Sequence, residues 1–176
     1  MVKMYRFFLY FLFFIVMLLL FFPKENLFFA LEKELQTQKV LIVNEKIDES
    51  LFGLSLKDAR VMVEKMEVAN IKEAKIDFFL FYNSLVLRDI ELSSVVGNFF
   101  PTHIRFVKMH YTIFNPLVVN GNAEGDFGTA KIEFSMKTDK LLIHLKPSKK
   151  VLQEFKALLR MLKKDKNGEY SYEKTL

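Results

Sequence analysis

Hydrophobic and polar positions change rhythm three times along the chain. The first stretch has no rhythm at all. From Phe7 to Phe22 it reads FFLYFLFFIVMLLLFF, without a charge, a glycine or a proline, after Lys3 and Arg6 and before Pro23, Lys24 and Glu25. A helix rises ~1.5 Å per residue, so Met4 to Phe22 reaches roughly 28 Å, against about 30 Å for a bilayer's hydrocarbon core. Phe, Leu, Ile and Val each favour insertion by roughly 0.3–0.6 kcal/mol. The pattern predicts a transmembrane anchor within residues 1–23. A cleaved signal peptide fits less well: the first small residue after Phe22 is Ala30, and Phe28 occupies the position two before it, where a small residue is needed. Lys3 and Arg6 lie before the apolar run, while Lys24 and Glu25 nearly cancel after it. The positive-inside rule then leaves the N-terminus in the cytoplasm and exports the rest.

A helical rhythm follows. Leu27, Ala30, Leu31 and Leu35 recur at helical spacing, with Glu32, Lys33 and Glu34 toward the other side. A short juxtamembrane helix over residues 24–39 is expected, with Pro23 in its first turn, where a missing N–H is harmless.

From Val40 the period shortens to two. Segments Val40–Ile47, Leu51–Lys57, Ala59–Val68, Lys75–Tyr82, Leu85–Leu92, His103–Phe114, Ala130–Lys137 and Lys140–Lys146 are rich in Val, Ile and Phe and read as strands. The links Asp48–Ser50, Asn83–Ser84 and Thr138–Asp139 are too short for parallel crossovers. The expected fold is mainly β: a curved antiparallel meander of about seven to nine strands over residues 40–147. Ile132, Phe134 and Met136 alternate with Lys131, Glu133 and Ser135, the mark of a half-buried sheet. Across Leu85–Leu92 the apolar parity changes near Arg88 and Asp89, which predicts a bulge. Ile76, Phe78, Leu80 and Tyr82 form one apolar face of their strand, and Phe79 and Phe81 make the other face apolar too. These six residues are the candidate apolar groove or partner face. Residues 120–128 (NGNAEGDFG) are turn-rich, with Asn120-Gly121 suited to a type I′ turn.

The rhythm returns to helical after Pro147. Ser148 is a fair N-cap. Over residues 148–164, Val151, Phe155, Leu158 and Leu162 line one face of an expected amphipathic helix. Lys149, Lys150, Lys156, Arg160, Lys163 and Lys164 make a candidate basic surface. Such a helix either caps the sheet, lies on anionic lipid or docks a partner, or contacts nucleic acid. The cap is favoured and nucleic acid disfavoured, because the interleaved aromatics of a single-strand groove are missing. Residues 165–176 form a polar tail in which Glu169–Tyr172 is either a short strand or disordered.

Composition narrows the function classes. The 176 residues hold one ordinary domain beyond the anchor, and the absence of cysteine excludes disulfides and thiolate metal sites. The net charge of +5 comes largely from the C-terminal quarter. His103, His110 and His144 form no H-x-x-x-H pair, and a regular strand would put His103 and His110 on opposite faces. The D-F-G at Asp126–Gly128 lacks its kinase partners, and neither a P-loop nor a nucleophile elbow is present. Acidic pairs such as Asp58/Glu64 and Glu67/Glu73 read as surface charge. No catalytic residue, metal site or cofactor is expected.

Two segments carry a family likeness. Ala30–Val61 (ALEKELQTQKVLIVNEKIDESLFGLSLKDARV) contains Leu51, Gly53, Leu54, Leu56, Lys57, Asp58 and Val61 in an L-x-G-L-x-L-K-D-x-x-V pattern. Gly121, Gly125 and Gly128 then precede the amphipathic strands of Lys131–Lys146. Together with the anchor and meander, this resembles the periplasmic protein N family of type II secretion systems, which has an AsmA-like, bridge-type lipid-transfer relative. The likeness covers under half of the chain, and the basic terminal segment departs from it. It implies a non-enzymatic accessory or scaffold protein of a type II secretion-like, pilus or DNA-uptake assembly. Such a protein would be single-pass in a bacterial inner membrane with a periplasmic domain. Its partners would be the bilayer and other envelope or secretion-machinery proteins. An AsmA-like module that binds or transfers phospholipid is the alternative.

Overall fold

A chain of hairpins whose apolar residues fall on one parity has a single way to bury them: side by side, on one face of one sheet. The computed structural model, which describes residues 2–21, 23–43, 46–79, 81–97, 100–165 and 168–175, takes this form. Two helices lead in: α1 (Val2–Leu20) and α2 (Lys24–Thr37). The strands are β1 (Val40–Val43), β2 (Lys46–Ser50), β3 (Gly53–Val63), β4 (Met66–Phe78), β5 (Tyr82–Leu92), β6 (His103–Thr112), β7 (Asn115–Gly125), β8 (Gly128–Ser135), β9 (Lys140–Pro147), β10 (Lys163–Lys164) and β11 (Tyr170–Thr175). One turn of helix, α3 (Ser94–Gly97), follows β5, and α4 (Lys149–Glu154) and α5 (Lys156–Arg160) follow β9.

All eleven strands join one antiparallel sheet in the order β1-β3-β4-β5-β6-β7-β8-β9-β11-β10, with β2 also paired to β3. Both β1 and β2 keep one register on β3, with Val43 opposite Arg60 and Lys46 opposite Lys57, so they act as a single edge strand. The mainly-β antiparallel meander expected from the sequence is present, with more strands than the seven to nine anticipated.

Paired residues in an antiparallel sheet share a face. Following the pairing across the sheet, Leu56, Ala74, Leu87, Val107, Ala123, Ala130, Leu145 and Tyr170 form one continuous row. Leu54, Ile76, Leu85, Met109, Gly121, Ile132, Ile143 and Tyr172 form the next row on the same side. This is the inner face. The outer face carries rows such as Lys57, Glu73, Arg88, Phe106, Glu124, Thr129 and Lys146. The core lies in two patches on the inner face. Phe28 of α2 packs with Leu54, Leu56 and Ala74, and Val151 and Leu159 pack with Ala123, Phe127, Ala130 and Leu145.

Several boundaries differ from the sequence reading. Asp48–Ser50 belongs to β2, and the turn falls at Leu51–Phe52. The segments either side of Asp58 are one strand, β3, because the ladder continues past that residue; the next turn is at Glu64–Lys65, with both residues at positive φ. Asn83–Ser84 lies inside β5. The Phe79 and Tyr82 backbones exchange hydrogen bonds (3.1 and 3.2 Å), which moves the turn into the phenylalanine run. Asn120–Gly121 is no turn either: both pair on both sides within β7, and only Asp126–Phe127 reverses the chain. A bulge between Ile104 and Phe106 brings His103 to the outer face with His110, where a regular strand would have separated them. The helix expected over 148–164 is two short helices broken at Phe155 (φ −111°, ψ 44°), and Lys163–Lys164 begin a strand. The polar tail contributes β11, which lies between β9 and β10.

Residues of α1 are helical as expected, and most of its described large side chains are exposed, Phe7 to 72%. Among the described residues no helix is long and apolar enough to cross a membrane, so the spanning role expected of residues 1–23 is left without structural support.

Candidate functional site

The inner face is covered unevenly. Helix α2 lies over β1 and β3 at one side, and α4 lies against β9 at the other. Leu85, Leu87 and Met109, on the central strands β5 and β6, remain half-buried between these two covers.

The C-terminal cover is positioned by its own first residue. Ser148 Oγ accepts from the Val151 N–H (3.3 Å) and donates to the Asp126 carbonyl (2.6 Å), tying the start of α4 to the β7–β8 turn. Gly128 sits beneath that junction at φ 109°, where a Cβ would collide with the Lys146 carbonyl oxygen. Thus anchored, α4 and α5 drop Val151 and Leu159 onto the small residues Ala123 and Ala130. Beside them, under Leu158 of α5 and Leu162, a gap remains.

That gap is a groove of about 310 Å³. Its floor is Ile104, Val107, Ile132 and Ile143, and its walls include Phe100, Phe127, Leu158, Leu162 and Tyr172. Its size is at the lower end of the range for small-molecule sites. Apart from the Tyr172 hydroxyl, its lining side chains carry no polar group. Such a lining buries apolar surface. A second recess, about 340 Å³, opens under α2 between Leu27, Phe28, Leu31, Ile76 and Phe78.

A larger depression of about 550 Å³ lies on the outer face around Phe106, Asn122, Thr129, Lys131 and His144. Two ion pairs border it: Arg105 with Glu124 (2.8 Å) and Lys146 with Glu169 (2.8 Å). It is a solvated, charged face, and the apolar groove is the better candidate site. The hydrogen bond and charge of Glu169 hold the Lys146 ammonium above its ordinary range. Lys140 lowers the Glu173 carboxyl in the same two ways, and Lys57 lowers Asp48. Among the described residues no group of His, Asp and Glu could hold a metal ion.

The five described residues of the expected apolar groove are dispersed. Ile76 and Phe78 line the recess under α2. Phe79 lies in the β4–β5 turn, edge-on to Phe52 (5.5 Å between ring centres). Phe81 stacks on Phe114 (6.4 Å), and Tyr82 stacks on His110 (5.8 Å) on the outer face. Leu80 lies outside the described residues. The two-sided apolar strand therefore does not exist: its second face is the tip of a hairpin. Nor do the six basic residues form one helical stripe. Lys149, Lys150, Lys156 and Arg160 are exposed on two separate helices, with Lys150 facing Asp126 (3.6 Å). Lys163 and Lys164 alternate along β10, where the Lys164 ammonium lies 5.8 Å from the centre of the Tyr170 ring.

The groove's own lining was partly visible in the sequence, through the alternation at Ile132. Ile104 and Ile143 emerge only from the pairing, and Phe127 only from its packing under α4 and α5. No protein-family model matches the chain, no curated protein matches it, and no solved structure matches its fold.

Proposed function

We propose that this is a non-enzymatic, membrane-anchored cell-envelope protein whose sheet binds the acyl part of a lipid on its inner face. The supporting observation is the groove beside α4 and α5, which is continuous in register with the half-covered strip on β5 and β6. An acyl chain needs no hydrogen-bond partner, and this lining offers almost none. The chain's surface points the same way. It exposes 12430 Å², against about 8,900 Å² for a compact protein of 20.8 kDa. Much of the excess is apolar surface on α1 and the sheet that something must cover.

For α1 the cover is a bilayer. Its 19 residues reach about 28 Å, close to the roughly 30 Å of a hydrocarbon core. The charge-free part alone is shorter than that, so Arg6 extends to the near interface on its own flexible stem. The charges of Lys3 and Arg6 keep that end in the cytoplasm and put the sheet on the other side of the membrane, in a bacterium the periplasm.

A second reading, an accessory scaffold of a type II secretion-like, pilus or DNA-uptake assembly, draws on the open sheet edge. Among the described residues the edge strands β1 and β2 pair only with β3, so an extended partner segment could add along Val40–Val43.

Native mass spectrometry of the chain released from gentle detergent separates the two. The lipid reading predicts a retained phospholipid or fatty acid that is lost in Ile143→Lys with the strand signal in circular dichroism intact. A lipid-free chain that instead retains a partner polypeptide would favour the scaffold.

A further inference from the structure

The two ends of the sheet differ in kind. Two turns at one end carry charge: Glu64 and Lys65 join β3 to β4, and Asp126, next to the buried Phe127, turns β7 into β8 beside Lys150, while Val95 of α3 is exposed at the same end. Three of the turns at the other end are apolar, and the fourth, Met136–Asp139 between β8 and β9, is polar after its methionine. Leu51–Phe52 joins β2 to β3, Phe79 and Phe81 flank the turn from β4 to β5, and Ile113–Phe114 joins β6 to β7. These tips touch one another. Phe52 accepts a backbone hydrogen bond from Phe78 (2.6 Å) and meets Phe79 edge-on, and Phe81 accepts from Ile113 (3.2 Å) and stacks on Phe114. The result is a ridge of phenylalanine across three hairpins, and its rings are open to solvent, Phe114 to 85%. An apolar ridge held together in this way marks a contact surface.

The path of the chain says which one. At the first turn of α2, the Glu25 backbone N–H donates to the Glu49 carboxylate (3.2 Å), and Glu49 lies just before the Leu51–Phe52 tip. The far end of α2 meets the opposite edge, where Lys39 accepts from the Glu64 N–H (3.1 Å). Helix α1 therefore delivers the chain to the phenylalanine end. From Leu20 to Glu25 the backbone can stretch at most roughly 17 Å, so the ridge lies close to where α1 ends.

We propose that this ridge is a second membrane contact: the tips at Phe52, Phe79, Phe81 and Phe114 enter the interface of the bilayer that holds α1, and set the sheet upright on it. The inference rests on α1 being inserted. Phenylalanine rings gain by leaving water for the acyl boundary, as do the apolar faces of interfacial helices. With the charged turns at the distal end, the arrangement also fixes which end of the sheet faces lipid.

The chain has no cysteine, which permits direct measurement of depth. Full-length Phe114→Cys, Phe81→Cys, Lys65→Cys and Phe14→Cys variants would each carry a nitroxide in phosphatidylethanolamine/phosphatidylglycerol nanodiscs. Oxygen and nickel-complex accessibility would then be read by electron paramagnetic resonance. The proposal expects an oxygen-to-nickel ratio several-fold higher at positions 114 and 81 than at 65, intermediate between 65 and 14. A lipid-like ratio at 14 with a water-like ratio at 114 and 81 overturns the ridge contact and leaves the anchor standing. A water-like ratio at 14 overturns both. Labels at 114 and 81 shielded from both relaxants place the ridge against protein, and also overturn it.

Discussion

Asp58 of β3 and Asp89 of β5 both take left-handed backbone (φ 55° and 49°), and they stand on one crosswise line of the sheet with Lys72 of β4 between them. On either side of that line the inward parity changes. Leu56 and Ala59 both face inward, as do Ala74 and Ile71, Leu87 and Ile90, and Val107 and Ile104. The line is a crease through four strands. It keeps the inner face apolar along its length, although no strand alternates regularly through it. Left-handed backbone suits Asp and Gly and penalises β-branched residues. Asp89→Gly is expected to melt within a few degrees of the parent, whereas Asp89→Val loses about 1–2 kcal/mol. Equal melting of the two variants would show that the crease does not depend on this conformation.

Gly53 at the start of β3 has no room for a side chain: a Cβ would run into the carbonyl oxygen of Ile76. Gly53→Ala must push β3 off β4 beside Leu54, which is 1% exposed. The expected loss is about 1–3 kcal/mol, or roughly 2–4 °C in melting temperature for each kcal/mol. The same substitution at Gly168, whose Cβ would meet no atom within 4 Å, strains only the backbone at φ 81°. Differential scanning calorimetry of both variants checks the contrast.

The last strand, β11, is tied to its surroundings by Lys140–Glu173 (2.9 Å) and Lys146–Glu169 (2.8 Å). A depressed carboxyl contributes stability above its ordinary value of 4.5, and loses it as pH falls through the lowered value. A raised ammonium contributes below 10.5 and loses it as pH rises through the raised value. Both groups are solvent-exposed, so the effect is local. In a carboxyl-detected NMR titration, Glu173 should inflect below 4.5 and return toward it in Lys140→Ala. Inflection at or above 4.5 in the parent would show that the pair does not form in solution.

The sheet was legible because short links force antiparallel neighbours, and the parity change at Asp89 was legible because Leu87 and Ile90 break the alternation. The matching change at Asp58 was hidden, since residues either side of it read equally well as two strands. The phenylalanine run misled for a related reason. Composition cannot distinguish a strand apolar on both faces from a hairpin tip, and the hydrogen bonds between Phe79 and Tyr82 decide it. The groove was least legible of all. Ile104, Ile132 and Ile143 come from three strands: the register pairs Ile132 with Ile143, and Ile104 lies in another row of the same face that lines the same groove.

Methyl NMR tests the lipid-binding claim most directly. In the full chain, labelled at isoleucine methyls and held in micelles with a carbon-13 acyl lipid, cross-peaks from the acyl chain should appear at Ile104, Ile132 and Ile143, and be absent at Ile47 on the far edge. Acyl contacts spread evenly over all four methyls, or found at none of the three groove positions, would contradict the account.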